Sequence, residues 1–359
     1  MSGLRVAIVH DYLNQPGGAE RVVLEMGRIW PEAPIYTSLY RPGSTWPEFR
    51  RHEIRTSPLD RIPIDRHFRA LLPLYPAAFR AIGTLEEDLV VSSSSGWAHS
   101  VRTSPSSLHV VYCYSPARWL YSDGYVQSGA RRRALSPVVA ALRRWDRGAA
   151  RRADGYITIA ENVRRRATAA YGVDSQVVYP PVDVERFQPR PRGERLLVVS
   201  RLLPYKRVHL VVEAATRAGL ALDVVGVGPA LPALRAAAGP TVTFHGKLED
   251  SAVTELFEAC SAVCFPGEED FGIVPVEANA AGKPVVAYAG GGALETLEEG
   301  RTGVFFREPT ADAVLEAIRR LDRLETTPEE LAESARRFSA AAFRGNLQRA
   351  IDRIRDDRG

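Results

Sequence analysis

Short apolar runs, each followed by a helical pattern, recur along this chain and leave few folds open to it. In the first half they fall at residues 5–9, 88–92, 108–113 and 155–159. In the second they fall at residues 195–199, 222–225, 241–244, 262–265 and 284–287. A strand buried on both faces reads as a continuous apolar run, and a helix between successive strands makes them parallel. The pattern predicts an α/β chain with parallel sheets covered by helices on both faces. At 359 residues it exceeds what a single core usually organises. A proline-rich seam, Pro180-Pro181-Val182-Asp183 through Pro189-Arg190-Pro191-Arg192-Gly193, is unsuited to a continuing helix or central strand. Two domains are therefore expected, 1–182 and 183–340, with ligands bound in a cleft between them.

Charge divides along the same seam. Residues 1–180 hold 24 arginines and no lysine against 16 acidic residues. The remainder holds 23 basic and 27 acidic residues, so the overall +4 conceals two halves suited to different partners. Cys113, Cys260 and Cys264 form no disulfide framework and have no histidine pair beside them, which predicts buried structural thiols and a reducing compartment. The opening run is broken by Asp11 and reads as a strand, not a signal peptide. With no stretch near the ~18–20 apolar residues of a membrane span, the expectation is a soluble or peripheral chain.

Several loops after apolar runs carry residues with chemical capacity. Glu269-Asp270-Phe271-Gly272-Ile273 follows the run at 262–265 and leads into a helix that contains Glu277. Such a helix start offers free N–H groups to an anion, and two glutamates eight residues apart reach different parts of one ligand. Ser200-Arg201 through Lys206-Arg207 lies on a strand-to-helix loop, where an arginine fork and a lysine point charge can grip a diphosphate. Gly17 and Gly18 follow the first strand and permit close backbone approach to a phosphate. They do not form the G-x-G-x-x-G fingerprint of a dinucleotide site. Ser92–Gly96 leads to His99 and Val111–Cys113 to Tyr114, Ser115 and Arg118. An isolated histidine is more often structural, so only its position in the expected cleft makes His99 a candidate.

The spacing of Glu269 and Glu277, with Phe271-Gly272 after the first and Gly282-Lys283-Pro284 after the second, resembles glycosyltransferase family 4. That resemblance implies the GT-B architecture: two Rossmann-like domains facing each other across a cleft, with a last helix at about 341–359 returning to the first domain. It implies a retaining transferase of nucleotide-sugar donors. By position, Glu269 would face the donor-sugar hydroxyls beside the amides of Phe271, Gly272 and Ile273, and Glu277 would accept from the ribose. Arg201 and Lys206 would hold the leaving diphosphate, bordered by Gly17 and Gly18. Gly246, Lys247 and Leu248 would line the base, and His99 would lie beside the transferring sugar. Catalysis would fall to His99, Glu269, Arg201 and Lys206, with Tyr114 and Arg118 on the acceptor side. The chain departs from the family pattern twice: Arg207 stands where relatives often have glycine, and Tyr114-Ser115 stands for His-Thr. Gly290-Gly291-Gly292 with Glu295 resembles a turn that closes the donor pocket.

No Asp-x-Asp pair occurs, so the expected clamp is cationic side chains with no metal and no cofactor. The resemblance of Val9-His10-Asp11-Tyr12 and Ser115-Pro116-Ala117-Arg118 to mannosyltransferase-like members points to GDP-mannose, with a glycan or polyprenyl-linked acceptor in cell-envelope polysaccharide synthesis. UDP-glucose is the nearest rival donor; a nucleotide-sugar epimerase and a non-catalytic sugar-nucleotide binder are rivals of other classes. No nucleic-acid partner is expected. The basic stretch 131–152 places Leu135, Val138, Val139, Leu142 and Trp145 at helical spacing among arginines. It reads either as a core-facing helix with a cationic rim or as a contact with an anionic membrane. The expected location is cytoplasmic, at the inner face of the membrane in the second case.

Overall fold

The computed structural model describes residues 3–62, 74–121 and 130–358, with backbone alone for 130–136. The chain divides into two compact units, Met1–Pro181 with Phe343–Gly359, and Val182–Ala342.

The strands of the first unit are β1 (Val6–His10), β2 (Ile35–Thr37), β3 (Ile54–Thr56), β4 (Thr84–Leu85), β5 (Leu89–Ser94), β6 (Arg102–Thr103), β7 (Leu108–Cys113), β8 (Gly155–Thr158) and β9 (Gln176–Val177). Seven form one sheet in the order β3-β2-β1-β5-β7-β8-β9, while β4 and β6 pair separately. All these pairings are parallel. The second unit holds β10 (Leu196–Val199), β11 (Leu222–Val225), β12 (Val242–Gly246), β13 (Ala262–Phe265), β14 (Val285–Tyr288) and β15 (Gly303–Phe306). They form a parallel sheet in the order β12-β11-β10-β13-β14-β15. The nine apolar runs are all strands, because β1, β5, β7, β10, β11 and β13 are buried along nearly their whole length. The strands not anticipated are short or lie toward the sheet edges; β2 has only three residues, too few for a period to show.

Each sheet has one switch point. The chain runs from β1 outward to β2 and β3, then returns to lay β5 on the other side of β1. Likewise it runs from β10 to β11 and β12, then returns to place β13 beside β10. The connections then leave the carboxyl ends of the two central strands in opposite directions, which opens a crevice for ligands there. Gly17-Gly18, the Ser200–Arg207 loop and the Glu268–Gly272 loop all follow one of these strands.

Helix spacing accounts for the cover. Val208–Ala218 buries Val208, Leu210–Val212, Ala214 and Ala215, an apolar stripe at helical period, in the core of the second unit. The C-terminal helix Ala340–Arg358 supplies its Phe343–Arg358 portion to the first unit. Phe343 meets Tyr112 edge-on at 5.7 Å. A Cβ on Gly155 would come within 2.6 Å of Ile354, so this helix lies hard against β8.

The basic helix, Ala130–Ala150, resolves the choice left open for its apolar face. Val139, Leu142 and Trp145 pack on the first unit's own core, and Trp145 meets Trp97 at 5.3 Å. Val138 is 53% exposed and does not share that face. Arg143 and Arg147 donate to the carbonyls of Leu120 and Ala170. The apolar face is thus already covered, which corrects the membrane reading for Val139, Leu142 and Trp145; the side chains of Arg131–Arg133 and Leu135 lie outside the described residues. Among the described residues no helix is long and apolar enough to cross a membrane. Cys113, Cys260 and Cys264 are free and buried, and burial pushes each thiol up to about 12.

Candidate functional site

In the second unit the loops after β10 and β13 meet at the switch point. A turn at Pro204–Lys206 carries Lys206, 7% exposed, whose ammonium pairs with the Glu269 carboxylate. Arg201 stands on the same loop, exposed and unpaired among the described residues. Arg207 then adopts φ 53°, and it is the one non-glycine at positive φ among the described residues. That left-handed residue turns the chain into the helix Val208–Ala218, which explains why glycine suits this position in the family pattern. Its guanidinium lies 4.5 Å over the Tyr288 ring.

The Glu268–Gly272 loop ends at Gly272, which caps the helix Ile273–Ala280 with no side-chain hydrogen bond. The helix start therefore keeps donors for an anion. Phe271 is buried edge-on against Phe338 at 5.5 Å and anchors the loop. Behind it, Gly292 donates its N–H to the Glu269 carbonyl at 2.8 Å. A Cβ on Gly292 would lie 2.1 Å from the Phe271 carbonyl oxygen, and one on Gly291 2.2 Å from that of Glu269. The glycine run is there because two backbones touch, and it fixes the loop that carries Glu269. Gly246 ends β12 and accepts from the Gly226 N–H at 2.7 Å, which ties the loop bearing exposed Lys247 to its neighbour. Leu248 follows, half-buried.

Glu277, one helical turn into Ile273–Ala280, receives Arg186 at 2.8 Å, with both side chains largely buried. Sequence reasoning missed Arg186: nothing local marks an arginine 91 residues away as the partner of a glutamate.

In the first unit the carboxyl ends of β1, β5 and β7 hold a second cluster. Asp11 is buried and accepts from the N–H groups of Ser95, Trp97 and Ala98 at 2.6, 2.8 and 2.8 Å, and from the Ser95 hydroxyl at 3.0 Å. His10 Nδ1 lies 3.0 Å from Ser93 Oγ, which is 2.8 Å from the Tyr114 hydroxyl. Tyr114 donates in turn to the Ala19 carbonyl at 3.1 Å. Tyr114 thus bridges β5 to the loop of Gly17 and Gly18. Glu20 is 1% exposed, and burial above all raises its carboxyl from the ordinary range. Arg118 is exposed at the start of the short helix Arg118–Tyr121. Asp11 and Glu20 were not anticipated as buried acids; the available signal was one acid directly after the first strand and one in the first turn of the helix Gly18–Ile29.

His99 lies in the interior of the first unit. It is 2% exposed, with Nε2 2.9 Å from Asp146 Oδ1 and Nδ1 3.2 Å from Ser94 Oγ. His99 thus lies between the end of β5 and the long helix, with Nδ1 hydrogen-bonded to Ser94 and Nε2 facing Asp146 but completing no hydrogen bond among the described residues. The resemblance set His99 beside the transferring sugar; here it is an interior histidine of the first unit.

Both halves match models of one enzyme group: residues 16–186 match Glycosyltransferase Family 4, and residues 183–338 match Glycosyl transferases group 1. The chain belongs to glycosyltransferase family 4. Among relatives of the family 4 chain is a GDP-mannose-dependent alpha-(1-6)-phosphatidylinositol monomannoside mannosyltransferase of Mycobacterium tuberculosis, 32% identical over 45% of this chain and 51% of the relative. A D-inositol 3-phosphate glycosyltransferase of Mycobacterium bovis is 30% identical over 49% of this chain and 42% of the relative. The matches span about half the length of these curated relatives. In fold, the family 4 chain is similar to Anabaena HepE solved with UDP, with TM-score 0.73 and 19% identity over 97% of this chain and all of that one. The lipopolysaccharide outer core galactosyltransferase WaaB matches at TM-score 0.70 and 15% identity, over 97% and 99% of the two chains. These likenesses are those of GT-B proteins, and two parallel-sheet α/β units are what the chain presents.

Proposed function

We propose that this family 4 chain transfers a hexose, mannose from GDP-mannose, to a lipid-linked or glycan acceptor in cell-envelope polysaccharide synthesis, with retention of configuration. The carrying observation is the pairing of Lys206 and Glu269 at the switch point of the second sheet, between a cationic loop and an uncapped helix start. In the proposed complex the diphosphate oxygens take the donors of Lys206 and Arg201 and the amides near Gly272 and Ile273. Glu269, released from Lys206, accepts from the sugar hydroxyls. Glu277, oriented by Arg186, accepts from the ribose hydroxyls. The choice of mannose is supported by the GDP-mannose-dependent relative.

Neither glutamate is free to act as a nucleophile in this scheme, since one serves the sugar hydroxyls and the other the ribose. The proposed step is attack from the face that the leaving group vacates. The bond from C1 to the phosphate oxygen breaks, and the nucleoside diphosphate leaves with the electron pair. The acceptor oxygen bonds to C1 on the same side, and its proton passes to the departing phosphate. Cationic side chains stabilise the charge that develops on that phosphate, an effect realised in the transition state.

Thermal unfolding with GDP, UDP, ADP and GDP-mannose tests the reading. Saturating ligand at a hundredfold excess over Kd adds about 2.7 kcal/mol of apparent stability. GDP and GDP-mannose are expected to raise Tm, and Glu277→Ala to lose most of that rise. A UDP preference would discard mannose and keep the transferase; no response to any nucleoside diphosphate would overturn the function.

A further inference from the structure

Away from the carboxyl ends of the strands, the first unit has an open cavity of about 790 Å³. Its wall is assembled from separate elements. Arg80 comes from the helix Tyr75–Ala81, Arg102 from β6, Arg152 from just beyond the helix Ala130–Ala150, and Arg358 from the end of the C-terminal helix. One carboxylate, Asp154, is among its lining residues. Asp154 is already engaged, by the His109 N–H at 2.7 Å and by Arg358 at 3.2 Å. Arg358 is further held by the carbonyls of Ser107 and Pro105.

That leaves Arg80, Arg102 and Arg152 without a carboxylate partner among the described residues. Arg152 makes only long contacts, 3.3 Å to the Ser100 carbonyl and 3.5 Å to that of Gly148. Its guanidinium is pulled below its ordinary range, first by burial and then by the like charges of Arg102 and Arg80. Two hydroxyls of the same wall, Ser100 and Ser107, are buried with no hydrogen-bond partner. Like charges held together beside unsatisfied donors are unfavourable until an anion answers them.

We propose that this cavity binds a phosphate-bearing ligand, gripped by Arg80, Arg102 and Arg152 with the hydroxyls of Ser100 and Ser107. Guanidinium forks match phosphate oxygens in pairs, and a phosphomonoester carries about 1.5–2 negative charges at neutral pH. The site is separate from the loops assigned to the nucleotide sugar and does not depend on that assignment. The phosphate can belong to a soluble compound or to a lipid headgroup at the protein surface.

The test uses the full chain with inorganic phosphate and pyrophosphate at constant ionic strength, chloride as control, read by calorimetry and by Tm. Arg80→Gln and Arg102→Gln are the probes, because these exposed side chains have no carboxylate partner to lose among the described residues and removing one relieves like-charge repulsion, so their ligand-free Tm should not fall below the parent's. Lys206→Ala removes the other phosphate-gripping cation. Binding that weakens about tenfold in each arginine variant but persists in Lys206→Ala supports the cavity and a soluble ligand. Co-sedimentation with phosphatidate vesicles but not with neutral ones, lost in the same arginine variants, supports it with a lipid headgroup as the source. A response equal to that of chloride with no vesicle binding, or binding indifferent to Arg80 and Arg102, overturns it.

Discussion

Arg207 shows how one residue can carry a cost that its neighbours offset. A side chain at positive φ costs about 1 kcal/mol relative to glycine, and the stack of its guanidinium on Tyr288 returns a comparable amount. Arg207→Ala keeps the strained backbone and loses the stack; Arg207→Gly loses the stack but relieves the backbone. The glycine variant should therefore be the more stable of the two by about 1 kcal/mol in urea unfolding. Equal stabilities would mean that the left-handed turn is not held in solution. His109 poses a different residue-scale question. Burial, aided by His99 and Arg152, depresses it from 6.5 to about 3, and its Nε2 lies 2.8 Å from Ser92 Oγ. Above about pH 6.5 the ring is neutral in both folded and unfolded chains. Below that value only the unfolded chain takes the proton, so stability falls as pH drops from 6.5 toward 3. The slope from this one group is about 1.4 kcal/mol per pH unit. His109→Gln should have a shallower acid slope than the parent in unfolding titrations across that window, and parallel slopes would contradict the buried neutral ring.

At the scale of elements, strands set the frame and loops are tied to one another by a few buried groups. Asp11 is the clearest tie in the first unit, joining the end of β1 to the loop after β5 through three backbone N–H groups. Asp11→Ala would strand these donors, with Trp97 and Ala98 almost wholly buried. At about 1–3 kcal/mol per unsatisfied group, the loss should be at least ~3 kcal/mol in denaturant unfolding. A loss below 1 kcal/mol would mean that water reaches those amides. In the second unit the Gly290–Gly292 turn plays the matching part, since its contacts with Glu269 and Phe271 are backbone to backbone. His99 and Asp146 bring the segment after β5 against the long helix, with Nε2 2.9 Å from Oδ1.

For the whole molecule the charge division between the halves has a consequence for chemistry. The proposed diphosphate clamp is built from Arg201, Lys206 and helix amides, which in that proposal would neutralise the leaving group without a metal. Transfer from GDP-mannose, followed by release of GDP, should proceed at an unchanged rate in excess EDTA. Loss of turnover that manganese restores would replace the cationic clamp with a metal. The arginine-rich first half spends part of its charge internally, as Arg143 and Arg147 show by donating to carbonyls. Three more of its arginines, Arg80, Arg102 and Arg152, have no carboxylate partner among the described residues and stand around one pocket.

The amino-acid sequence alone determined the α/β class, the parallel strands, the break near Pro180–Gly193, the loops that hold Lys206 and Glu269, and the helix that holds Glu277. These are legible because burial on both faces demands an uninterrupted apolar run, and because helix starts and glycine turns have local chemical requirements. Only the tertiary structure decided the strand order, and with it the switch points where those loops meet. It alone paired Lys206 with Glu269 across 63 residues and Arg186 with Glu277 across 91. It turned His99 inward to Asp146, set the apolar face of Ala130–Ala150 on the core, and brought four distant arginines around one cavity. Period and composition report whether a segment is buried; which distant group it is buried against depends on how the sheets are wound.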